Sequence, residues 1–441
     1  MTEQDITTLT PVYTNPRVLE GLAIVAHNPS TGDPIAFDAG KLCNTAFKDL
    51  SMYTIYGGSL AKRETANCYV IKEAGAYMFP LVYGNAIKGG VANPNAYTNN
   101  GATYSNDFVN SRDVQITSPF IELNTGCAVA SCEVVWQDHQ DLIQNLELYE
   151  GGDCKYVRFI IDSMPSLNAN AIIAVKDGSG NILWSWHIWC CLDDLSPITF
   201  TNHTEVNYDL MPINLGWKWD STDRLRGRSP HYQWGRKDPM PCPAAYNSNS
   251  NTSLWGAKTY GSAEADTIGA AIKNPHLFYK QDGETYYNWF TGGSKYNLWN
   301  AAVTTTGAGD DQASAKKTIY DPCPVGFMLP AGRAFTGFTT SGGNVSSGAP
   351  TGCEVIGEWS NGWTMKKNAN DTVGNFFAAS GSRGRTSGAL LNVGSRGNYW
   401  SFASDSRASA YLLRFDSSSL YPLNGDRRAY GFAVRPCREL S

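Results

Sequence analysis

The sequence predicts a mainly β protein with α+β character, in which an immunoglobulin-like β-sandwich precedes a loop-rich, tryptophan-rich module. Three observations predict it. Charged residues make up 17% of the 441-residue chain, and Gly, Asn, Ser, Thr and aromatics take their place, a mixture that suits sheets and ordered loops better than helical bundles. Apolar, β-branched runs recur between turn signals in the N-terminal half, which is the pattern of paired strands. Amphipathic helical stretches are scarce throughout.

Taken in order, residues 1–50 carry short extended runs broken by Pro and Gly, such as Leu22–Val25 ahead of Asn28-Pro29, and read as an attachment arm. Residues 51–205 read as the β-sandwich domain. Ala66–Ile71, Tyr77–Tyr83, Tyr156–Ile161, Ala171–Val175 and Ile182–Trp189 are its strands, and Asp177-Gly178-Ser179-Gly180 is a hairpin turn between the last two. Composition changes near 202–215, and residues 206–441 form a second domain. There Trp217, Trp219, Trp234, Trp255, Trp289, Trp299, Trp359, Trp363 and Trp400 lie among Gly, Asn and Ser, as bulky anchors for loops that lack regular pairing. Residues 257–274 and Asp311–Lys317 are the expected helices.

Several functions are disfavoured. The net charge is −5 and no basic tract appears, so nucleic acid is not an expected partner. No apolar run is long enough to span a bilayer. The start, Met1–Asp5, shows neither a basic nor an apolar leader segment; a native Met1 would place folding in the cytoplasm, and a trimmed one leaves export open. Eleven cysteines, including the adjacent pair Cys190-Cys191, lack zinc-ribbon or disulfide-ladder spacing and are expected to be mostly reduced, buried apolar groups. Nucleotide-binding, metalloprotease, hydrolase-elbow and EF-hand patterns are missing. His27, His139, His187, His203, His231 and His276 have no metal-ligand spacing, and no cofactor is expected. His187, within an aromatic strand, reads as a hydrogen-bonded core residue. Asp193-Asp194 and Asp310-Asp311 are the pairs through which calcium would enter, although acidic loop pairs are generally just solvated.

Certain segments resemble a known family. Asn181–Trp189 resembles the closing strand of a β-sandwich in surface proteins of gut anaerobes and their phages. Tyr232–Pro239, Tyr320–Phe327, Asn398–Ser401 and Arg428–Pro436 resemble a C-type-lectin-like module of the formylglycine-generating-enzyme type, and the tail is similar to the variable proteins of diversity-generating retroelements. Asp209–Gly216 matches only an eroded form of that module's entry motif. The resemblance implies a C-type-lectin-like fold over 206–441, with a variable region at about 390–436. It also brings the first and last strands together, which makes Cys323 and Cys437 a candidate pair.

The resemblance carries its own test in the composition. Adenine randomisation in such systems acts chiefly on Asn codons, from which Lys, Glu, Gln, Met and Trp cannot arise. From Asp371 to Arg438 there is no Lys, Glu, Gln or Met, and Trp400 is the one Trp. Tyr, Arg, Ser and Asp, which remain, supply aromatic anchors and adaptable polar contacts. The diversified, ligand-binding positions implied are Ser395, Arg396, Phe402, Asp405, Ser406, Arg407, Ser409, Tyr411, Leu413, Asp416, Leu420, Tyr421, Leu423, Gly425, Asp426, Arg427 and Tyr430. Alternation along Ala410–Asp416 places Tyr411, Leu413 and Phe415 on one face, with Phe415 in the core and the other two open to either role. Ser418–Leu423 reads as a strand, Asn424–Arg427 as a turn and Tyr430–Val434 as the last strand.

The expected function is non-enzymatic recognition: receptor binding at a phage tail tip, through a bacterial surface protein or glycan. Tail or pilus proteins are the expected structural partners, in a homo-oligomer for which a trimer is one option, without membrane insertion. The alternatives are a pilus-tip or outer-membrane adhesin, and a formylglycine-generating-type oxidase. The oxidase needs two closely placed reactive cysteines, whereas only Cys353 and Cys437 follow Cys323.

Overall fold

A computed structural model describes residues 46–98, 108–250, 267–281, 288–290, 295–303, 305–307, 312–406 and 408–440, with the strands 23–27, 34–38 and 261–263. The chain is mostly β. Ala23–His27 and Pro34–Asp38 pair as an antiparallel hairpin in the expected arm.

Two four-stranded sheets follow. The first contains β1 (Lys48–Asp49), β3 (Gly75–Pro80), β6 (Lys155–Ile161) and β5 (Gln144–Glu150), in that order. The second contains β2 (Cys68–Ile71), β8 (Ile182–Cys190), β7 (Ala169–Lys176) and β4 (Ser131–Gln137). Three expected strands lie within β6, β7 and β8, whereas Ala66–Ile71 and Tyr77–Tyr83 overlap β2 and β3 but run past their ends; Gly180, at φ 83°, closes the β7–β8 turn. Phe79 joins the sheets: its ring lies 5.3 Å from that of Tyr69 and 4.8 Å from that of Trp186.

Every residue of β8 is buried, because both its faces are covered. Trp186 packs on Phe79 of the first sheet. Ser185 and His187 point the other way, into the C-terminal half. Ser185 donates to Asp238 (2.7 Å), and Lys237 donates to the Ser185 carbonyl (2.9 Å) and to Asp238 (2.6 Å). Asn170 Nδ2 donates to Asp138 and to the Gly216 carbonyl, so its Oδ1 accepts from His187 Nε2 at 2.9 Å. His187 is therefore a hydrogen-bonded core residue. Asn67 bridges the halves as well, donating to the carbonyls of Ile319 (2.6 Å) and Asp321 (2.8 Å).

The expected border at 205 lies in the connection between β9 (Ile198–Thr201) and β10 (Asn207–Leu210), which pair as a hairpin. With β17 (Cys437–Arg438) and β12 (Phe327–Met328) this hairpin forms a sheet in the order β9-β10-β17-β12. Helix α1 is shorter than the expected 257–274. It runs Ile268–Lys273, capped by Thr267, whose hydroxyl accepts from Ala270 N, and 261–263 is a strand paired with Leu277–Tyr279. Residues 312–317 form turns rather than a helix, with Lys317 bridged to Asn300; Asp310 and Asp311 lie outside the described residues.

Loops of this half are tied through their carbonyls. The indole N–H groups of Trp234, Trp289, Trp299 and Trp400 donate to the carbonyls of Ser401, Trp234, Arg236 and Tyr232, at 2.7–3.3 Å. Buried arginines do the same. Arg428 donates to the carbonyls of Lys295 (2.6 Å) and Ser406 (2.7 Å), and its guanidinium lies 4.3 Å from the Trp234 ring. Arg435 donates to Asn214 Oδ1 (2.8 Å), Asn375 Oδ1 (2.8 Å) and the Phe376 carbonyl (3.0 Å), above the ring of Phe377.

The ten described cysteines are free thiols. Cys323 and Cys437 do not pair: Cys323 sits beside Asp321, Lys317 and Cys68, whereas Cys437 sits beside Asp209 and Arg438.

Burial sets the acid sensitivity. It drives the pKa of His187 and of His231 down to about 3, helped at His231 by Arg383. Below the ordinary value of 6.5 the unfolded chain takes up protons that the folded one refuses, so each histidine removes stability as pH falls, about 2 kcal/mol by pH 5. Burial raises Asp321 to about 6 despite Lys317. Its contribution has the opposite sign, growing from pH 6 down to 3.8, and offsets part of the loss. Urea unfolding should therefore show stability falling from about pH 6.5 to 5, with a shallower fall in His187→Gln. A pH-independent midpoint, or an unchanged slope in the variant, contradicts this assignment.

Candidate functional site

The region that the sequence singled out forms a three-stranded sheet: β13 (Arg396–Ser404), β14 (Ser409–Asp416) and β15 (Leu420–Arg427), in that order. β13 is buried from Gly397 onward. Trp400 fixes it, with its ring 4.4 Å from that of Phe432 on β16 (Gly431–Phe432). β14 and β15 lie outside it and carry the accessible side chains.

Register decides which face each side chain occupies. Arg396 opposes Asp416, Asn398 opposes Arg414, and Trp400 opposes Leu412. On the other side Arg414 opposes Tyr421, Leu412 opposes Asn424, and Ala410 opposes Asp426. These residues share one face. Tyr399, Ser409, Tyr411, Leu413, Phe415, Leu420, Gly425 and Arg427 share the other. The expected alternation of β14 therefore holds. The register shift lies in β15, where Pro422 and Leu423 together oppose Leu413; Pro, lacking an N–H, suits such a bulge.

The sequence-derived set divides accordingly. Arg396, Asp416, Tyr421 and Asp426 lie along the first face, with Arg396 and Asp416 at one end of β14 and Asp426 at the other, and Tyr430 adds a ring stacked on Phe432 at 5.4 Å. Asp405, Ser409, Tyr411, Gly425 and Arg427 gather on the second face, with Leu423 in the bulge between. Ser395 is exposed on the turn before β13, and Ser406 accepts from the backbone N–H of Ala408 and Ser409. Arg407 lies outside the described residues.

Three positions are corrected. Phe402, Leu413 and Leu420 are 2%, 0% and 0% exposed. Phe402 sits where β13 bulges away from β14, its N–H bonded to the Pro330 carbonyl. Leu413 lies opposite Tyr399, and Leu420 opposite Phe415, in the aromatic layer formed with Trp359 and Phe377. The expected turn at Asn424–Arg427 is likewise strand, paired to Ser409–Leu412. The Asp405 carboxylate occupies the space a Cβ at Gly425 would need, 2.4 Å away, so the glycine makes room for that contact rather than for a turn.

The first face alternates cations, carboxylates and aromatic rings. The Arg414 guanidinium lies 5.8 Å from the Tyr421 ring centre, and Arg385 reaches the Tyr430 hydroxyl at 3.3 Å. Burial raises the pKa of Asp426, which Arg414, Arg427 and Arg385 counter only in part. Burial acts in the same direction on Asp416, but the Ser418 N–H, the hydroxyls of Ser419 and Ser418, and Arg396 hold its carboxyl below the ordinary range. On the second face burial raises the Tyr411 hydroxyl, and Asp405 adds to the effect. Arg385, Arg414 and Asn424 were not singled out from sequence. All three fall within the Lys-free, Glu-free window, the one signal that points to them.

Among the described residues no group of three or more His, Cys, Asp or Glu is arranged to hold a metal ion. Asp193 instead accepts from Asn168 (2.6 Å) and the Trp219 indole (3.1 Å). No protein-family model, curated protein or solved structure matches this chain.

Because Asp426 is strained in its ionised form, Asp426→Asn should leave the urea midpoint at pH 7 unchanged or higher. A loss above about 1 kcal/mol would instead reveal a stabilising ion pair with the surrounding arginines.

Proposed function

We propose that this chain is a non-enzymatic attachment protein. In this reading its C-terminal half is a C-type-lectin-like module with a diversified face, its N-terminal sheets are an immunoglobulin-like sandwich, and its place is a phage tail tip that binds a bacterial surface ligand. One observation carries the reading: Arg396, Asp416, Tyr421, Asp426 and Tyr430, drawn from one compositionally biased stretch, are laid out along one face of a sheet whose inner strand is buried. Such a face can change its side chains while the tryptophan and arginine ties beneath it stay the same. The free thiols favour assembly in a reducing compartment over export. They also weigh against the oxidase alternative. Burial raises the Cys353 thiol to about 11 and Cys437 further still, and thiol chemistry runs through the thiolate. An oligomeric tail fibre or tip would multiply weak single-site contacts.

The test is attachment to whole bacterial cells. Replacing Arg396, Tyr421 and Asp426 together by Ser should reduce binding about tenfold or more, with a melting shift of less than about 4 °C. Replacing Glu147 and Tyr149 on β5 should leave binding intact. Attachment that survives the first variant, or that is lost in the second, contradicts the assignment.

A further inference from the structure

We infer that the ligand read by the first face is an acidic glycan, with a sugar carboxylate seated on Arg414 and Arg396. This rests on the attachment reading above and names the chemistry of its ligand.

Arg414 carries the inference. It is half-buried, and its Nε is shielded from solvent with no hydrogen-bond partner. Among the described residues its guanidinium forms no ion pair; its nearest ring neighbour is Tyr421. Arg396 is its diagonal neighbour across β13 and β14, at the spacing of about 7–8 Å that diagonal cross-strand pairs have. Its Nε is also buried and unpaired, and its one ion pair is a loose 3.7 Å contact with Asp416. A shielded Nε–H without an acceptor is costly, and the group that best relieves it while also meeting the neighbouring Nη–H is a planar carboxylate, which two parallel N–H donors match. The chain as a whole carries −5, so this cationic spot is a local feature.

The neighbours choose a sugar over an acidic peptide. Asp426 and the Asn424 amide, on the same face, are acceptors suited to sugar hydroxyls. A polyglutamate chain carries the same charge but offers neither hydroxyls to Asp426 and Asn424 nor a pyranose face to the tyrosine rings. Tyr421 and Tyr430 supply ring surface for the C–H face of a pyranose.

Polygalacturonate oligomers are the probe, with the fully methyl-esterified oligomer and polyglutamate as comparisons. The free acid should bind the intact chain about tenfold more tightly than either comparison, and more weakly as salt rises from about 0.05 to 0.5 M. Arg414→Met should lose about tenfold in affinity, Arg414→Lys less, and Arg396→Met should repeat the loss at an unchanged melting temperature. No binding of the free acid, equal binding of the ester or of polyglutamate, or full binding by both Met variants overturns the inference. Should those results coincide with cell attachment still lost in the Arg396/Tyr421/Asp426 variant, the face remains the binding site and only the ligand class is wrong.

Discussion

Buried donors that satisfy loop carbonyls hold this molecule together. In the C-terminal half few backbone groups belong to long ladders, yet the segments are packed, and a buried carbonyl without a partner is expensive. Indole N–H groups and buried guanidinium groups provide the missing donors. Arg428 and Arg435 are each completed by backbone carbonyls and neutral side-chain oxygens instead of a carboxylate. Each arginine thereby ties two segments distant in sequence to its own. Arg428 ties Lys295 to Ser404 and Ser406 at the end of the accessible sheet, where β13 passes into β14.

The seam between the halves follows the same logic. Ser185, His187 and Asn67 are polar residues on or beside an otherwise aromatic strand; Ser185 and Asn67 bond directly across the seam, and His187, held by Asn170 within its own sheet, faces the Tyr232 hydroxyl there at 3.5 Å. An aromatic contact crosses the seam as well, with the Trp184 ring 6.3 Å from that of Tyr320. The polar contacts fix orientation, because a slipped register would strand several donors at once. A frame held from within leaves the outward positions of β14 and β15 open to varied side chains, as the proposed attachment face would require.

Much of the fold was legible. Five of the eight strands of the first two sheets follow from apolar, β-branched runs and a single Asp-Gly turn; β1, β4 and β5, shorter or more polar, did not stand out. The tryptophan anchors follow from their placement among small residues. The arginine ties were not legible, since Arg428 and Arg435 look like surface residues in a polar stretch and only the folded chain reveals them as buried. The site was partly legible for the same kind of reason. Alternation sorted β14 correctly, but whether Leu413 and Leu420 are displayed depends on the aromatic layer of Trp359, Phe377 and Tyr399, which is remote in sequence. Asn424-Gly425 carried a local turn signal that pairing with β14 overrode, leaving the glycine to accommodate Asp405. Residues 257–274 misled in the same way, since strand pairing at 261–263 leaves room for only a short helix.

The most direct measurement of this account is the unfolding free energy of Arg428→Met, which keeps much of the apolar stem and removes the donors. Losing them strands the carbonyls of Lys295 and Ser406, and the predicted cost is at least about 3 kcal/mol, or no folded state at all. A cost below about 1 kcal/mol would show that the loops are held by something else, and the idea of a face supported from beneath would fail with it.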